Sequence, residues 1–600
     1  MSKKSFQESE PRVPESVEGI QVNSCKNPLC ANFNVEPLLY KYNNKNDNNG
    51  QSKITQDPNY TIAAYGKQLP VIKCKACNEF TPIKSNLGIF EEKSRLGAYL
   101  TGEEHTCPNV DCDNHHVSVS KSPTSYYRAG TTNNNQRYQC KLCKKTFSTG
   151  NKRRKQLRPE INKQLYINLV NKAPVKRCCE MLGIRPQTYY DKVDWLYEQA
   201  QGFVQNRERK LLKNFETDRL YLSTDRQVHN SNWLSRDDKR NTELLAIGTA
   251  DNRSGYVFGW HFNFDPSMNP GTVEQETLIL NDYDKKVPQR KHARLWLERD
   301  FEKAQQTSLN NKAQSQGSLI GDVAAKYSTE HQRFNPEAAE TVDNTVKPPS
   351  DGMLVHSEYT MSGHFHLLKD MLSNVGKVRF YLDQEAGIKN AFMSSFGERV
   401  VDNTADAFYV RASKDLTVNQ KEALIHECHL RIRAMTGASY RQMSAQAKEQ
   451  AVLRLIMDEM GNLVSFPRSP ERWLRYPFAT KPEPEKLVAA ITDISGLSEI
   501  HQARLYKSAS LHGIDRFFMQ ARRRMYLFER PFNSGSNASR TWYGYSPYNP
   551  ENYIKMAELF RLFYNYIHVG ERDGKTPAMR LGLAKGPISY EKIIYFDKYE

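Results

Sequence analysis

Long apolar runs are missing from this 600-residue sequence, and acidic residues are in the minority. Because no run of about 18 apolar residues occurs, we expect no membrane span. The first residues, MSKKSFQESEPRVPES, lack the apolar core of a secretion signal, so we expect a cytoplasmic protein. In that reducing compartment, cysteine pairs bind metal more often than they form disulfides. The 68 Asp and Glu face 85 Lys and Arg, and the net charge of +17 suggests a polyanionic partner, although a solvated basic surface gives the same number.

Eight of the eleven cysteines fall into two copies of one pattern. In each copy, four residues separate the first two cysteines and two residues separate the last two. The copies are Cys25, Cys30, Cys74 and Cys77, and then Cys107, Cys112, Cys140 and Cys143. Four thiolates on two turns make the ligand set of a tetrahedral zinc site, so we predict two zinc ribbons that each hold one structural Zn²⁺. The alternative is eight reduced cysteines without a ligand.

The ribbons account for residues 1–100 and 101–150 in this interpretation. The first ribbon contains a long insert with the low-complexity stretch KYNNKNDNNGQSK, which we expect to be a mobile loop. A chain of this length is too long for one hydrophobic core, so we expect roughly four domains. A closed site of four cysteines has no position for a substrate, and the function must therefore lie further along the chain.

Residues 151–214 form a basic segment, with 15 Lys and Arg against 6 Asp and Glu. The apolar pattern predicts helices at about 160–170, 174–182 and 186–199, and a Gly183 turn joins the last two. This is typical of a helix-turn-helix domain, whose second helix lies in the major groove of DNA. That helix would offer four side chains to bases or phosphates: Gln187, Thr188, Tyr190 and Lys192. The basic run before it would contact phosphates through Lys152, Arg153, Arg154 and Lys155. The alternative is a helical bundle with a solvated basic face.

A series of strands follows, and two of them end in aspartate. RLYLSTDRQVH predicts a strand that ends at Asp225, and KVRFYLDQEAG predicts a strand that ends at Asp383. A hairpin and a helix are predicted between them, and one more strand after them. This is the order of a ribonuclease-H-like α/β core, in which the first and fourth strands are neighbours. We predict such a core in residues 215–415, with a polar, disordered insert at about 300–350, and we expect Asp225 and Asp383 to meet.

Two carboxylates at neighbouring strand ends suit hard divalent cations, so we predict two catalytic Mg²⁺ or Mn²⁺ ions at Asp225 and Asp383. A third acid is expected on a helix packed against these strands, and SLHGIDRFFMQARRRMYLFERPF predicts that helix. Asp515 lies in its first turn and Glu529 at its end, about 21 Å further along the helix, so they cannot both reach one pair of ions. We assign Asp515 and keep Glu529 as the alternative. Arg522 and Arg523 of the same helix would hold DNA phosphates.

The remaining segments complete the predicted fold class, a multidomain α+β protein. Residues 416–510 are predicted to form a helical insertion, and residues 511–600 the acidic helix and a C-terminal tail. Three histidines, His356, His364 and His366, lie at the start of a predicted amphipathic helix. We interpret them as surface or core histidines and not as metal ligands.

In this order, the motifs resemble those of a DDE-type insertion-sequence transposase. QRYQCKLCKKTFS resembles the zinc ribbon of that family and LGIRPQTYYDKV its helix-turn-helix. DRFFMQARRRMYLFERPF resembles the acidic helix, and FYNYIHVGERDGKTPAMRLGL the C-terminal tail. The chain departs from the family in the long separation of Asp225 from Asp383 and in the insert before Asp515. With Asp515 as third acid, the triad is DDD and not DDE.

The resemblance implies metal-dependent cleavage and strand transfer of insertion-element ends. The implied partners are double-stranded DNA, as terminal repeats and as target, and further copies of the chain in a homo-oligomer on that DNA, associated with the nucleoid. Two alternatives stay open. One is a zinc-ribbon and helix-turn-helix DNA-binding regulator with an inactive core, and the other is a ribonuclease-H-like nuclease that cuts without joining.

Overall fold

The chain divides by its internal contacts into two compact units of mixed α/β structure. The first comprises Met1–Leu96, Asn214–Arg522 and Leu527–Ile554, and the second Gly97–Lys213, Arg523–Tyr526 and Lys555–Glu600. The computed structural model describes residues 11–38, 42–44, 53–55, 57–63, 69–101, 105–109, 111–119, 122–132, 135–148, 157–213, 215–234, 237–307, 318–333, 335–340, 342–413, 416–467, 469–529 and 546–596. Among these residues, no helix has both the length and the apolar character of a membrane span.

The first unit is built on an eight-stranded mixed sheet. Its strands, numbered β1 to β8 along the chain, are Thr217–Ser231, Thr242–Asp251, Val257–Phe262, Val375–Asp383, Ala405–Ala412, Val464–Ser465, Arg472–Arg475 and Lys486–Ala490. Their spatial order is β3-β2-β1-β4-β5-β8-β7-β6. β4 runs parallel to both β1 and β5, and all other neighbours are antiparallel. The predicted pairing of the first and fourth strands is confirmed.

The central strands of this sheet are buried on both sides, because helices cover both of its faces. In β2, Thr249 Oγ1 lies 2.7 Å from Nε2 of His364, which belongs to helix Ser357–Met371. A Cβ on the preceding residue, Gly248, would lie only 2.9 Å from Ile514 of helix His512–Arg524. Successive strand residues point to opposite faces, so these two helices lie on opposite sides of the sheet. Helix Ala386–Val401 makes the crossover that joins the parallel strands β4 and β5.

Two segments of the first unit differ from the sequence prediction. The polar insert at about 300–350 is not wholly irregular, because helix Leu319–Gln332 lies within it, capped by Ser318 Oγ, which accepts a hydrogen bond from the Gly321 N–H. The expected helical insertion at 416–510 does contain helices, but it also supplies β6, β7 and β8, which extend the sheet beyond β5. Strands of two to five residues carry too few positions for a periodic signal. The remaining helices of this unit are Asn86–Leu96, Pro270–Ile279, Glu298–Thr307, Val418–Thr436, Ala445–Met460 and Glu499–Ser508.

Among the described residues, each unit has one three-stranded antiparallel sheet that carries cysteines. In the first unit its strands are Tyr60–Ala63, Val71–Cys74 and Phe80–Pro82. In the second unit they are Tyr126–Thr132, Asn135–Cys140 and Thr146–Ser148. The predicted mobile loop KYNNKNDNNGQSK lies outside the described residues except at its ends, where Tyr42–Asn44 pairs with Lys53–Thr55. Strands Phe264–Asp265 and Met353–Leu354 form a further small pair.

The second unit is otherwise helical. Helices Asn162–Leu169 and Val175–Leu182 agree with the predicted bounds to within two residues, and Gly183 ends the latter in the left-handed conformation, with φ 59°. The third helix, Pro186–Lys213, is longer than predicted because buried positions such as Phe203 and Leu211 continue its apolar face. The other helices of this unit are Ala98–Thr101, Pro577–Leu581 and Tyr590–Ile594, together with the part of helix Glu551–Leu562 that begins at Lys555.

Candidate functional site

Each predicted set of four cysteines converges on one point. The first cluster is Cys25, Cys30, Cys74 and Cys77, and the second is Cys107, Cys112, Cys140 and Cys143. All four Sγ atoms of a cluster lie within 4.8 Å of one another. Two Sγ–Sγ distances in the first cluster measure 3.5 and 3.6 Å, and two in the second measure 3.2 and 3.8 Å. A tetrahedral ion with Zn–S bonds of about 2.3 Å separates its sulfurs by about 3.8 Å, so both clusters are compatible with zinc.

Several hydrogen bonds recur around both clusters, which is compatible with two ribbons of one kind. Asn32 Nδ2 lies 3.4 Å from Cys74 Sγ, and Asn114 Nδ2 lies 3.3 Å from Cys140 Sγ. The backbone N–H of the first cysteine donates to a tyrosine hydroxyl in both ribbons, Tyr60 in the first and Tyr126 in the second. The sequence prediction missed these asparagines and tyrosines. The signal for the asparagines is a shared spacing, CxNxxCxN, in CKNPLCAN and CPNVDCDN.

Local hydrogen bonds favour the thiolate form of one cysteine in each cluster. Burial raises the pKa of the Cys140 thiol, but the backbone N–H of Cys143 and the Asn114 amide outweigh it and lower that pKa to about 6. The same balance, with Asn32 in place of Asn114, lowers the pKa of Cys74 to about 7. Burial raises the pKa of other thiols, to about 11 for Cys77 and to about 12 for Cys107, so without an ion these thiols stay protonated. The thiolate is the form that binds metal, so each cluster offers one thiolate before an ion arrives.

The two predicted aspartates lie side by side on the neighbouring strands β1 and β4, directly after the last paired residues of these strands. The parallel ladder ends with Leu382 opposite Thr224, so the next residues along are Asp383 and Asp225. Asp383 ends β4 as predicted, but Asp225 does not end β1, which continues to Ser231. The predicted strand end at Asp225 is wrong, because residues 225–231 complete the antiparallel ladder with β2.

Asp225 projects from the face of the sheet that carries helix His512–Arg524. Gly248 of β2 is its direct partner, and residues opposite each other in a ladder project from the same face. A Cβ on Gly248 would meet Ile514 and Phe518 of that helix. Asp225 and Asp383 are both half-buried, so the site lies between the sheet, the helix and solvent.

Basic residues border the two carboxylates. Arg411 Nη1 lies 3.4 Å from Asp383 Oδ1, and the charges of Asp383 and then of Asp225 outweigh burial and raise the pKa of Arg411. Arg226 forms a bidentate pair with Glu385, with N–O distances of 2.9 and 2.7 Å. Burial opposes ionisation of Glu385, but Arg226 and Lys326 hold its pKa well below the usual range. The sequence prediction missed Arg226 and Glu385, whose signal is their position one and two residues after a predicted aspartate.

Asp515 lies in the first turn of helix His512–Arg524, as predicted. The neighbouring N–H of Ile514 donates to Ser223 Oγ at 3.0 Å, so this turn lies beside the part of β1 that carries Asp225. Glu529 is not at the helix end, because the helix stops at Arg524 and a 3-10 turn, Tyr526–Phe528, follows. All three residues of that turn are buried. Three consecutive residues of an α-helix point in different directions and cannot all pack against one surface.

Glu529 directly follows Phe528, which packs near the C-terminal end of β1. The Phe528 ring lies 5.3 Å from the ring of His229, which is four residues beyond Asp225 along the strand. In the described part of the chain, the groups that bring three or more metal-ligand atoms within 4.8 Å of one another are the two cysteine clusters and a third group, Glu340, His356 and Glu358. Asp225, Asp383, Asp515 and Glu529 belong to none of them.

The predicted DNA-reading helix presents three of its four proposed residues. Gln187 and Tyr190 are exposed and Thr188 is half-buried, and Gln187 Nε2 donates to Asp191 Oδ1 at 3.0 Å. Lys192 is only 3% exposed, and its Nζ donates to Asn162 Oδ1 and to the Leu157 carbonyl. The prediction that Lys192 contacts DNA is therefore wrong, because it fastens the third helix to the start of the first.

The other proposed DNA contacts lie elsewhere in the chain. Arg523 is exposed and Arg522 is half-buried. Arg153 and Arg154, with Lys152 and Lys155, lie outside the described residues.

Comparison with protein-family models gives no match to this chain, and comparison with curated proteins gives none. The family therefore stays a resemblance of motifs, and the function has to be argued from the geometry of the carboxylates and the ribbons.

Proposed function

We propose that the protein is a DNA transposase of the DDE or DDD type, which cleaves insertion-element ends and joins them to target DNA. The observation that carries the proposal is the register of β1 against β4, in which Asp225 and Asp383 are level. The spatial order β3-β2-β1-β4-β5, with β4 parallel to its two neighbours, is the order expected for a ribonuclease-H-like core.

The donor chemistry supports two Mg²⁺ or Mn²⁺ ions as cofactors. Asp225 and Asp383 offer oxygen ligands from neighbouring strands, the kind that hard divalent cations prefer. Ions bound there would activate a water or a 3′-hydroxyl and stabilise the leaving oxygen of a phosphodiester. The contact between Arg411 and Asp383 is long at 3.4 Å, so this guanidinium can turn from the carboxylate toward a DNA phosphate.

The position of the first helical turn favours Asp515 as the third acid. Its neighbour Ile514 is bonded to Ser223, two residues before Asp225, whereas Glu529 follows Phe528 beside His229. The distance from Asp225 to His229 along β1 is about 13 Å, which a glutamate side chain does not span. Arg522 and Arg523, further along the same segment, would contact the phosphates of the bound strand.

The ribbons and the helix-turn-helix would select the DNA. Exposed Gln187 and Tyr190 lie at the start of helix Pro186–Lys213, the end that reaches base edges in such domains. The two zinc ribbons would hold rigid loops against the duplex. Joining two element ends needs an active site at each end, so we propose a homo-oligomer assembled on DNA, in the nucleoid.

A strand-transfer assay tests this function against its alternatives. The substrate is a duplex that carries the end of the element encoding the chain, incubated with Mg²⁺ and a supercoiled target. We expect the wild type to nick the end and to join its 3′-hydroxyl to the target, and Asp225→Asn to bind the end without doing either. Asp218→Asn, an exposed aspartate on the same strand, is the matched control and should act as the wild type does. Nicking without joining would indicate a nuclease, and binding without nicking would indicate a regulator.

A further inference from the structure

Glu340, His356 and Glu358 form a ligand cluster apart from the ribbons and from the aspartate pair. One ligand atom of each lies within 4.8 Å of the other two. All three belong to the first unit. His356 is the N-cap residue of helix Ser357–Met371, and Glu358 lies in the first turn of that helix. Glu340 comes from the segment between this helix and helix Leu319–Gln332.

These three side chains do not satisfy one another. Among the ion pairs of the described residues, none joins His356 to either glutamate within 4.0 Å. Glu358 is only 6% exposed; its Oε1 accepts a hydrogen bond from Asn335 Nδ2 at 2.8 Å, and its Oε2 has no partner. A buried carboxylate oxygen without a partner costs free energy, and two carboxylates beside each other add repulsion. A cation between them removes both costs.

Neighbouring groups hold the ligands in place, as an outer shell does at metal sites. The Ser357 backbone N–H donates to Glu340 Oε1, and Ser357 Oγ donates to Glu340 Oε2 at 2.7 Å. The ring of Trp296 packs on the imidazole of His356 with a centroid distance of 4.0 Å. Glu340 and His356 are thus fixed in orientation, and the buried Glu358 beside them keeps one carboxylate oxygen without a hydrogen-bond partner.

We propose that Glu340, His356 and Glu358 bind a structural divalent transition-metal ion, and we assign zinc. One imidazole and two carboxylates form a mixed nitrogen and oxygen ligand set, which suits zinc better than the oxygen-only sites of Mg²⁺. The ion would fasten the segment around Glu340 to the start of helix Ser357–Met371. That helix packs on β2 through the contact of His364 with Thr249. The ion would therefore stabilise the packing of this helix on the sheet.

Zinc content per chain tests this site in the full-length protein. The chain is loaded with zinc, freed of excess by gel filtration and measured by elemental analysis. We expect three ions in the wild type, two in Glu358→Gln and three in Glu330→Gln. Glu330 is a matched control because it is also 6% exposed, accepts a hydrogen bond from the Ala386 N–H and lies outside the cluster. Two ions in a wild type with intact ribbons, or three in Glu358→Gln, would overturn the proposal.

A cobalt titration of the wild type keeps the test independent of how the variant folds. Two equivalents should produce the intense thiolate-to-cobalt absorption of the cysteine clusters. A third tightly bound equivalent should add only weak visible bands, because its ligands are nitrogen and oxygen. Saturation at two equivalents would overturn the proposal. DNA cleavage does not enter either measurement, so the result is separate from the proposed transposase activity.

Discussion

At the scale of single residues, the burial of His229 makes the stability of the fold depend on pH. It is 8% exposed on β1, and the rings of Trp260, Phe262, Phe528 and Tyr553 surround it at 5.3 to 5.9 Å. Burial, with a smaller contribution from the charge of Arg522, lowers the pKa of His229 to about 3. The folded protein therefore keeps this histidine neutral at pH values where an unfolded chain protonates it.

Replacing His229 by Phe should make the first unit less sensitive to acid. Between pH values of about 6.5 and 3 the unfolded chain binds a proton that the folded chain does not. Stability is therefore lost as the pH falls, by about 1.4 kcal/mol per pH unit for one histidine. Thermal unfolding of His229→Phe should show a smaller drop in Tm from about pH 7.5 to about pH 5 than the wild type. His426→Phe, which changes an exposed histidine, should follow the wild type. Equal drops in wild type and His229→Phe would contradict this account.

The sequence predicts the positions of some candidate residues well and of others poorly, for physical reasons. Asp383 ends its strand and Asp515 lies in the first turn of its helix as local patterns predict, whereas Asp225 lies within β1 because pairing with β2 extends that strand. Lys192 follows the same helical pattern as Gln187, but the sequence does not reveal that its ammonium donates a hydrogen bond to Asn162, 30 residues earlier. The pair Arg226 and Glu385 is 159 residues apart and depends on strand pairing.

At the scale of elements, the helix-turn-helix segment is predictable because its signals are local. Gly183 and Pro186 mark the turn, and the apolar positions set the helices. The strands β6, β7 and β8 are not predictable in this way. They are short, and their burial depends on an edge of the sheet that β5 supplies from more than fifty residues earlier.

The second ribbon should depend on its metal ion. Its core consists of Cys107, Cys112, Tyr126 and Cys140, with four partly buried side chains packed around them. So small an apolar core does not hold a fold without a metal or a disulfide. Cys140→Ser should lower the zinc content by one ion per chain and raise amide hydrogen exchange over residues 105–148. Cys178→Ser, which changes a buried cysteine outside both clusters, should do neither. Unchanged exchange in Cys140→Ser would mean that the ribbon folds without its ion.

At the scale of the whole molecule, ion pairs and hydrogen bonds join residues that are far apart in the chain, and sequence patterns do not reveal them. In the second unit, Arg561 and Glu208 form a buried ion pair at 2.5 Å, and the Tyr166 hydroxyl donates to the Leu559 carbonyl. These contacts join the C-terminal segment to residues some 350 to 390 positions earlier. The domains predicted from motifs along the chain do not contain such information.

Because the net charge is +17, we expect the affinity for DNA to fall as the salt concentration rises. If residues 1–214 provide most phosphate contacts, changing Arg153 and Arg154 to Ala should flatten the slope of log affinity against log salt by about two, at roughly 0.9 per duplex phosphate. The double change Arg433→Ala and Arg441→Ala, at exposed positions outside that segment, should leave the slope unchanged. Fluorescence anisotropy over a salt series provides the measurement. An unchanged slope in the Arg153 and Arg154 variant would place the main contacts elsewhere.

The central claim is that Asp225, Asp383 and Asp515 together hold the catalytic ions, and nicking of a terminal-repeat duplex tests it most directly. Asp225→Asn, Asp383→Asn and Asp515→Asn should each bind the duplex as the wild type does and fail to nick it in Mg²⁺ or Mn²⁺. An amide keeps the shape of the side chain but loses the charge that holds the metal. Glu529→Gln should nick at close to the wild-type rate. An active Asp515→Asn together with an inactive Glu529→Gln would assign the third acid to Glu529, and wild-type nicking by all four variants would contradict the account.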